Sequence, residues 1–516
     1  MTEKHKVGFF TKIKIFFETY KYLVQVIHGM LLTIAFHPFD IFIVIPVAFS
    51  GFIISLEKEC FAVRKEQLFK VGFKHGFAFF FGHFITSLYW VIIPLFVDVK
   101  QYFFLIPLGL LGLPALLASF YAIVSGVISK YLLNNIQHKN LRRKRVVISL
   151  AFSFGFFIAE ILRSHLIIPF PWNLLGYATS YSLSLMQFAS VVGVYGLSLL
   201  MYLIGAIPYT RNALVISLMT LIVFLVTISG RSRLNNMDAN VNQTISAALY
   251  IVQPNINSTK MTHESYKVEI EKIKALIGSI ETSKANDLLQ LIILPETGIP
   301  GSITTQTEFI FKDEMAQHSK NTMLISGVDR YNNISNKHFN SMIVVNQHGE
   351  IMDSYDKIIL APFGEYIPGL DFIKAIVSKN YGFTPGSKIR NFRLYNSASD
   401  EALVIMPTIC FESIFSPIVD HRNMADLDFI LNITNDSWLG DSLGPYQHLA
   451  MARMRAIEYG VPVVRVTKTG VSAVFNSHGR LMRSLPFNTE GIMIVNMSED
   501  KVVTPYMKIL KFFKGK

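Results

Sequence analysis

The sequence predicts a two-part chain: a polytopic α-helical membrane half of about seven spans, followed by an α/β domain. Three observations carry this. Long apolar runs fill residues 1 to about 230 and stop there. The short segments between those runs alternate between basic and weakly charged. From residue 246 the pattern becomes short β-rich runs alternating with polar helical stretches. Charged side chains make up 16% of the 516 residues, against ~25% in soluble domains.

A spanning helix needs ~20 mostly apolar residues to cross ~30 Å of hydrocarbon. Seven candidate runs lie near 22–37, 40–56, 71–97, 102–129, 146–163, 183–207 and 212–230. The N-terminus carries Lys4, Lys6, Lys12, Lys14 and Lys21. The second loop carries Lys58, Arg64, Lys65 and Lys70, the fourth is "HKNLRRKR" (138–145), and the sixth has Arg211. The odd loops, "HPFD" and "VDVKQ" among them, are weakly charged. This alternation places the N-terminus in the cytoplasm and everything after residue 230 outside it.

The net charge of +12 suggests nucleic acid at first glance, but much of it sits in these loops, where it sets topology. With Cys60 and Cys410 as the only cysteines, a disulfide framework is excluded. No cleavable signal peptide is expected, because no small-residue cleavage site follows the first apolar run. Glu160 and Arg163, spaced i,i+3 in the fifth run, read either as an interfacial ion pair or as a contact to a lipid head group or the soluble domain. His75 and His83 read as packed polar residues.

Residues 231–245 read as a linker and 246–500 as one α/β domain, with a basic apolar tail at 501–516. "AALYIVQ" (247–253), "LLQLIIL" (288–294), "TMLISGV", "SMIVVN", "ALVIMPT", "FILNIT" and "VPVVRV" read as strands. In "ESYKVEIEKIKALIGSIE" (264–281), Val268, Ile270, Ile273, Leu276, Ile277 and Ile280 keep helical spacing. "HLAMARMRAIEYG" is a helix ended by Gly460.

Three stretches carry chemistry. In "LIILPETGIPG" (291–301), Glu296 follows a strand by one proline; it is a site carboxylate or a turn-forming acid. In "YDKIILAPFGEYIPG" (355–369), Lys357 and Glu365 flank an apolar segment, and alone such a lysine is a surface charge. In "LVIMPTICFES" (403–413), Cys410 ends a strand; it is a nucleophile at a strand-to-helix turn or a small core residue.

The ordered set of a strand-end Glu, a Lys and a strand-end Cys resembles the nitrilase, or carbon–nitrogen hydrolase, superfamily. "PETGIP", "KIILAPFGEYIP", "ICFES", "TNDSWLG", "GPYQHLAMARMRAIE" and the membrane-half "FPWNLLGYA" (170–178) resemble its membrane-embedded branch, the apolipoprotein N-acyltransferases, from "HPFD" (37–40) to about residue 497. The resemblance implies a nitrilase-like αββα sandwich as the second domain. It implies a bacterial inner-membrane enzyme with a periplasmic catalytic domain. That enzyme moves an acyl chain from a phospholipid, through a cysteine thioester, to the amine of a diacylglyceryl-cysteine apolipoprotein. No metal or organic cofactor is implied.

In this reading Glu296 takes the proton from Cys410. The usual carboxyl pKa of ~4.3 makes a weak base, which burial has to strengthen. Lys357 and the backbone N–H of Phe411 hold the oxyanion. Glu365 supports Lys357 or the substrate amine, and Glu412 fixes the turn after the nucleophile or makes a structural hydrogen bond. Phe363, Tyr366, Ile367, Trp438 and Leu439 form the substrate gateway or pack internally. His448 reads as structural.

The chain departs from the family at three places. Phe411 stands where better-known members have tyrosine. No tryptophan follows "VQPNIN" (252–257), and "YMKILKFFKGK" (506–516) is too short to span. That segment reads as a membrane-surface element or a frayed tail. Two other readings compete. A membrane-anchored amidase hydrolysing a small amide leaves "FPWNLLGYA" without a purpose. A transporter with an external binding domain requires ionisable residues along the spans, which are nearly free of them.

Overall fold

The computed structural model describes residues 20–97, 99–133, 141–238, 245–257, 263–282, 288–304, 309–366, 382–387, 390–395, 402–416, 426–498 and 501–514. The chain forms two compact units. One runs to Leu185 and resumes over Tyr195–Ile228; the other holds Met186–Val194 and Ser229 onward.

Mostly in the first unit, and among the described residues, four helices are long and apolar enough to cross a bilayer: Phe103–Leu133, Leu141–His165, Ala189–Thr210 and Ala213–Asn235. A fifth candidate is the pair Lys65–Ser87 and Tyr89–Phe96, bent by 45°. The expected seven spans therefore become four or five. The first run makes a helix of only 13 residues, Lys21–Thr33, about 20 Å long at ~1.5 Å per residue. The second, Val44–Ala62, carries Glu57, Lys58 and Glu59 in its last turns, a charge load that hydrocarbon disfavours. The expected linker is also partly helical. Helix Ala213–Asp238 continues through residues 231–238, where neither Gly nor Pro interrupts its hydrogen bonds. Residues 239–244 lie outside the described residues.

Aromatic packing fills this unit, with Phe80 stacked on Tyr121 at 3.7 Å between centroids and Phe156 edge-on to Phe80 at 4.8 Å. Leu214, Leu218, Leu221, Phe224 and Leu225 are exposed along one helix, as a lipid-facing surface requires. His75 and His83 are buried, and His75 lies 2.6 Å from Glu59. Arg163 is fully buried, so the head-group contact is ruled out. It donates to the carbonyls of Phe170 at 2.7 Å, Trp172 at 3.0 Å and Asn173 at 3.2 Å. Glu160 accepts the Leu175 N–H at 2.7 Å. The two residues thus pin the "FPWNLLGYA" loop, whose peptide groups would otherwise be buried unsatisfied.

The second unit holds two sheets. In the first, the strand order is β13-β1-β2-β4-β5-β6 with β3 on β4. These are β1 (Ile245–Gln253), β2 (Leu289–Ile293), β3 (Ser302–Ile303), β4 (Thr322–Asn332), β5 (Lys337–Val345), β6 (Ile351–Asp356) and β13 (Gly491–Ser498). The second sheet runs β12-β11-β10-β9-β8-β7. Its strands are β7 (Phe392–Tyr395), β8 (Ala402–Ile409), β9 (Phe429–Thr434), β10 (Val463–Thr467), β11 (Ser472–Phe475) and β12 (Leu481–Leu485).

Side-chain alternation makes four layers of this. Leu249 and Ile251 of β1 meet Ile405 of β8 and Ile433 of β9 between the sheets. Tyr250 and Val252 point the other way, onto Ile273 and Ile277 of helix His263–Gly278. Val404 and Met406 face Ala452 and Ala456 of helix Gly444–Tyr459. The tail forms a helix, Pro505–Lys514, with Tyr506 and Met507 in that outer layer. β1, β2 and β4 are parallel, as are β8, β9 and β10. Glu296 and Cys410 stand just past the C-terminal ends of β2 and β8, and Lys357 just past that of β6.

Candidate active site

Glu296 stands three residues past the end of β2 and is buried. Thr297, next to it, takes a left-handed φ of 54°, which turns the chain sharply. Gly327 makes room, since a Cβ there would lie 2.6 Å from the Glu296 Cα. One Glu296 carboxylate oxygen accepts from the Asn340 side-chain amide at 2.7 Å, and the other accepts the Asn435 N–H at 2.8 Å.

Lys357 follows β6 directly and is 1% exposed. Its Nζ lies 3.5 Å from Glu296 and 2.9 Å from a Glu365 carboxylate oxygen. Burial would strip its proton, but the carboxylates of Glu365 and then Glu296 reverse this, and its pKa rises. Glu365 also accepts from Asn340 at 2.7 Å and from the Ala361 N–H at 2.7 Å. One amide therefore bridges both carboxylates that share the ammonium.

Cys410 follows β8 and opens a short turn, Cys410–Ile414, with φ of 49°. A non-glycine residue pays ~1–2 kcal/mol for a left-handed conformation, so surrounding contacts must hold it. The thiol is half-buried. Burial and then the Glu296 charge push its pKa up, while Lys357 and the Thr434 hydroxyl oppose them. The resting sulfur is a neutral thiol within electrostatic reach of both partners.

Glu412 ties the thiol and the ammonium together. It accepts N–H bonds from Ile358 at 2.7 Å and Ile359 at 3.1 Å, just past Lys357. It also accepts from the Ile409 N–H at 2.7 Å, just before Cys410. Behind the turn, Asp436, Arg465 and His448 form a buried cluster. Arg465 lies 2.7 Å from one Asp436 oxygen and 3.1 Å from His448 Nδ1, which is itself 3.2 Å from the other Asp436 oxygen. His448 Nε2 lies 3.1 Å from the Cys410 carbonyl. Although burial works against it, the Arg465 charge holds the Asp436 pKa down to about 2.

The structure therefore brings Glu296, Lys357, Cys410, Glu365 and Glu412 into one cluster. Phe411 is buried, with its ring edge-on to Phe415 at 5.3 Å. Phe363 and Trp438 are exposed, and Tyr366 and Leu439 are half-buried. Ile367 lies outside the described residues. Sequence reasoning missed Asn340, Thr434, Asn435, Asp436 and Arg465. The available signal was a polar residue at the edge of an apolar run, as Asn340 is in "HFNSMIVV". Among the described residues, no group of three or more His, Cys, Asp or Glu is arranged to hold a metal ion.

Two family models match the chain. Residues 28–207 match the apolipoprotein N-acyltransferase N-terminal domain, and 251–504 match the carbon–nitrogen hydrolase domain. The apolipoprotein N-acyltransferase of Brucella melitensis is 31% identical over 91% of this chain and 88% of its own length. That of Rhodopseudomonas palustris is 32% identical over 94% and 91%, and that of Rickettsia prowazekii 30% over 89% and 90%. A solved nitrilase-superfamily protein of Saccharomyces cerevisiae aligns at TM-score 0.37 and 15% identity over 53% of this chain and 95% of its own. With both domains matched in order and near-full-length relatives above 30% identity, this membrane-embedded chain belongs to the apolipoprotein N-acyltransferase family.

Proposed function

We propose that the protein transfers an acyl chain from a membrane phospholipid to the N-terminal amine of diacylglyceryl-cysteine apolipoproteins, using Glu296, Lys357 and Cys410. The observation that carries this is the buried Lys357 ammonium, shared by Glu296 and Glu365 and electrostatically coupled to the Cys410 thiol. Glu296 takes the thiol proton as sulfur attacks the ester carbonyl. Lys357 and the Phe411 N–H hold the oxyanion. The C–O bond breaks, the lysophospholipid oxygen takes the proton from Glu296, and a thioester remains. The apolipoprotein amine then attacks the thioester. Its proton passes through Glu296 to the departing thiolate, leaving an amide and a free Cys410. Both substrates are lipid-anchored, which accounts for a membrane domain over residues 1–230 joined to a catalytic domain over 246–500. The N-terminal family match at 28–207 supports transfer over hydrolysis of a small soluble amide.

We further assign the protein to the bacterial inner membrane, with its N-terminus cytoplasmic and its catalytic domain periplasmic. Phe363, Tyr366, Trp438 and Leu439 form the lipid gateway. Incubation with phosphatidylethanolamine is expected to leave a hydroxylamine-labile acyl mass on Cys410, read by intact-protein mass spectrometry. A protein that turns over substrate with no such adduct would contradict the thioester route. In intact spheroplasts, an impermeant thiol reagent should label Cys410 and spare Cys60; the reverse pattern would invert the topology.

A further inference from the structure

Lys468 follows β10 and is 1% exposed, yet the chemistry above leaves it without a task. Its backbone is pinned on both sides: its N–H donates to the Thr434 carbonyl at 3.1 Å, and its carbonyl accepts the Asn255 N–H at 2.9 Å. Its ammonium pairs with Glu269, a buried carboxylate on helix His263–Gly278. The same ammonium donates to the Thr297 carbonyl at 3.2 Å. Thr297 is the left-handed residue that aims Glu296. Two buried charges are expensive unless they are well paired, so a plain structural role would be met more cheaply by apolar side chains.

Two ion pairs therefore bracket the Glu296–Thr297 stretch: Lys468 with Glu269 at the Thr297 carbonyl, and Lys357 with Glu365 at the Glu296 carboxylate. The other ionisable groups around Glu296 and Lys357 are Glu412, the Cys410 thiol and, behind it, Asp436, Arg465 and His448. We propose that Lys468, held by Glu269, is a positioning residue for Glu296: it clamps the Thr297 carbonyl and so fixes the backbone turn that carries the Glu296 carboxylate. Lys468 thereby keeps the Glu296 carboxylate aimed at the Cys410 thiol. This inference rests on the role proposed above for Glu296.

The test is the rate of iodoacetamide alkylation of Cys410 in the full-length protein in detergent micelles at pH 7.5. Peptide mass spectrometry separates Cys410 from Cys60. Lys468→Met alone strands a buried carboxylate, so the informative variant is Lys468→Met with Glu269→Gln, with its unfolding temperature checked first. Cys410 alkylation in this variant should be about tenfold slower. Lys468→Arg, which keeps the pairing with Glu269 and the reach to the Thr297 carbonyl, should recover most of the rate. A double variant that alkylates at the wild-type rate, or a Lys468→Arg variant as slow as the double variant, overturns the inference. Glu296→Gln separates the two claims: if it alkylates at the wild-type rate, Glu296 is not the base and the site assignment fails first.

Discussion

Tyr355 donates its hydroxyl hydrogen to the Glu412 carboxylate at 2.9 Å, joining the strand that leads into Lys357 to the turn that begins at Cys410. Burial and the Glu412 charge raise the phenol pKa, so it stays a donor. Glu412→Ala would leave this phenol and the N–H groups of Ile358, Ile359 and Ile409 without their acceptor. Each buried unsatisfied donor costs about 1–3 kcal/mol. The expected result is a lower unfolding temperature and acyl-adduct formation on Cys410 slowed by about a hundredfold or more. Tyr355→Phe removes one donor and should cost only about 1–2 kcal/mol. Equal effects of the two changes would remove Glu412 from its bridging role.

The φ of 49° at Cys410 makes a stability prediction that is independent of activity. Alanine keeps the left-handed penalty of ~1–2 kcal/mol, while glycine relieves it at an entropic cost of ~0.5–1 kcal/mol. Cys410→Gly should therefore be more stable than Cys410→Ala by about 0.5–1 kcal/mol, with neither forming an acyl adduct. Thermal unfolding of the two variants in the same detergent decides this. A more stable alanine variant would mean that the turn is not strained.

Asn340 donates to Glu296 and Glu365, each at 2.7 Å. An aspartate there would place a third carboxylate around one ammonium, and like charges at this range repel strongly. Asn340→Asp should suppress Cys410 acylation below the level of Asn340→Ala at pH 7.5, and lowering the pH to protonate it should narrow the gap. If the two variants acylate equally at both pH values, the bridge contributes only shape.

The Asp436–Arg465–His448 cluster predicts how stability falls with acid. Burial, then the Arg465 charge, lower the His448 pKa from 6.5 in the folded chain. The native state thus binds fewer protons than the unfolded chain below that pH. Its stabilisation is complete above ~6.5 and is lost as pH falls from there. Asp436 acts in the same direction lower down: its contribution is full above ~3.9 and fades as pH drops toward about 2. The unfolding temperature should fall between pH 7 and 5, and His448→Gln should flatten that fall. An unchanged slope would show that His448 charges freely in the folded protein.

The residues proposed for catalysis were legible because their chemistry is local to short motifs. Proline before Glu296, the strand leading to Cys410, and the Pro/Gly-flanked loop around Glu365 each mark a chain end that can aim a side chain. The helices and strands with strong periodicity were legible for the same reason. Span number was less so, because hydropathy counts apolar residues without knowing where a helix breaks. The run 71–97 bends after Ser87, and Lys21–Thr33 ends too early to cross.

The sequence by itself determined the two-part architecture and singled out the residues proposed as nucleophile, base and ammonium, since apolar run length and motif chemistry need no partner. Only the tertiary structure decided what holds them. Asn340 and Glu412 act by hydrogen bonds to residues 44 and 54 positions away, and Lys468 reaches Thr297 across 171. No local pattern encodes such contacts. They exist because two parallel strand sets end side by side, where buried polar groups must find each other in place of water.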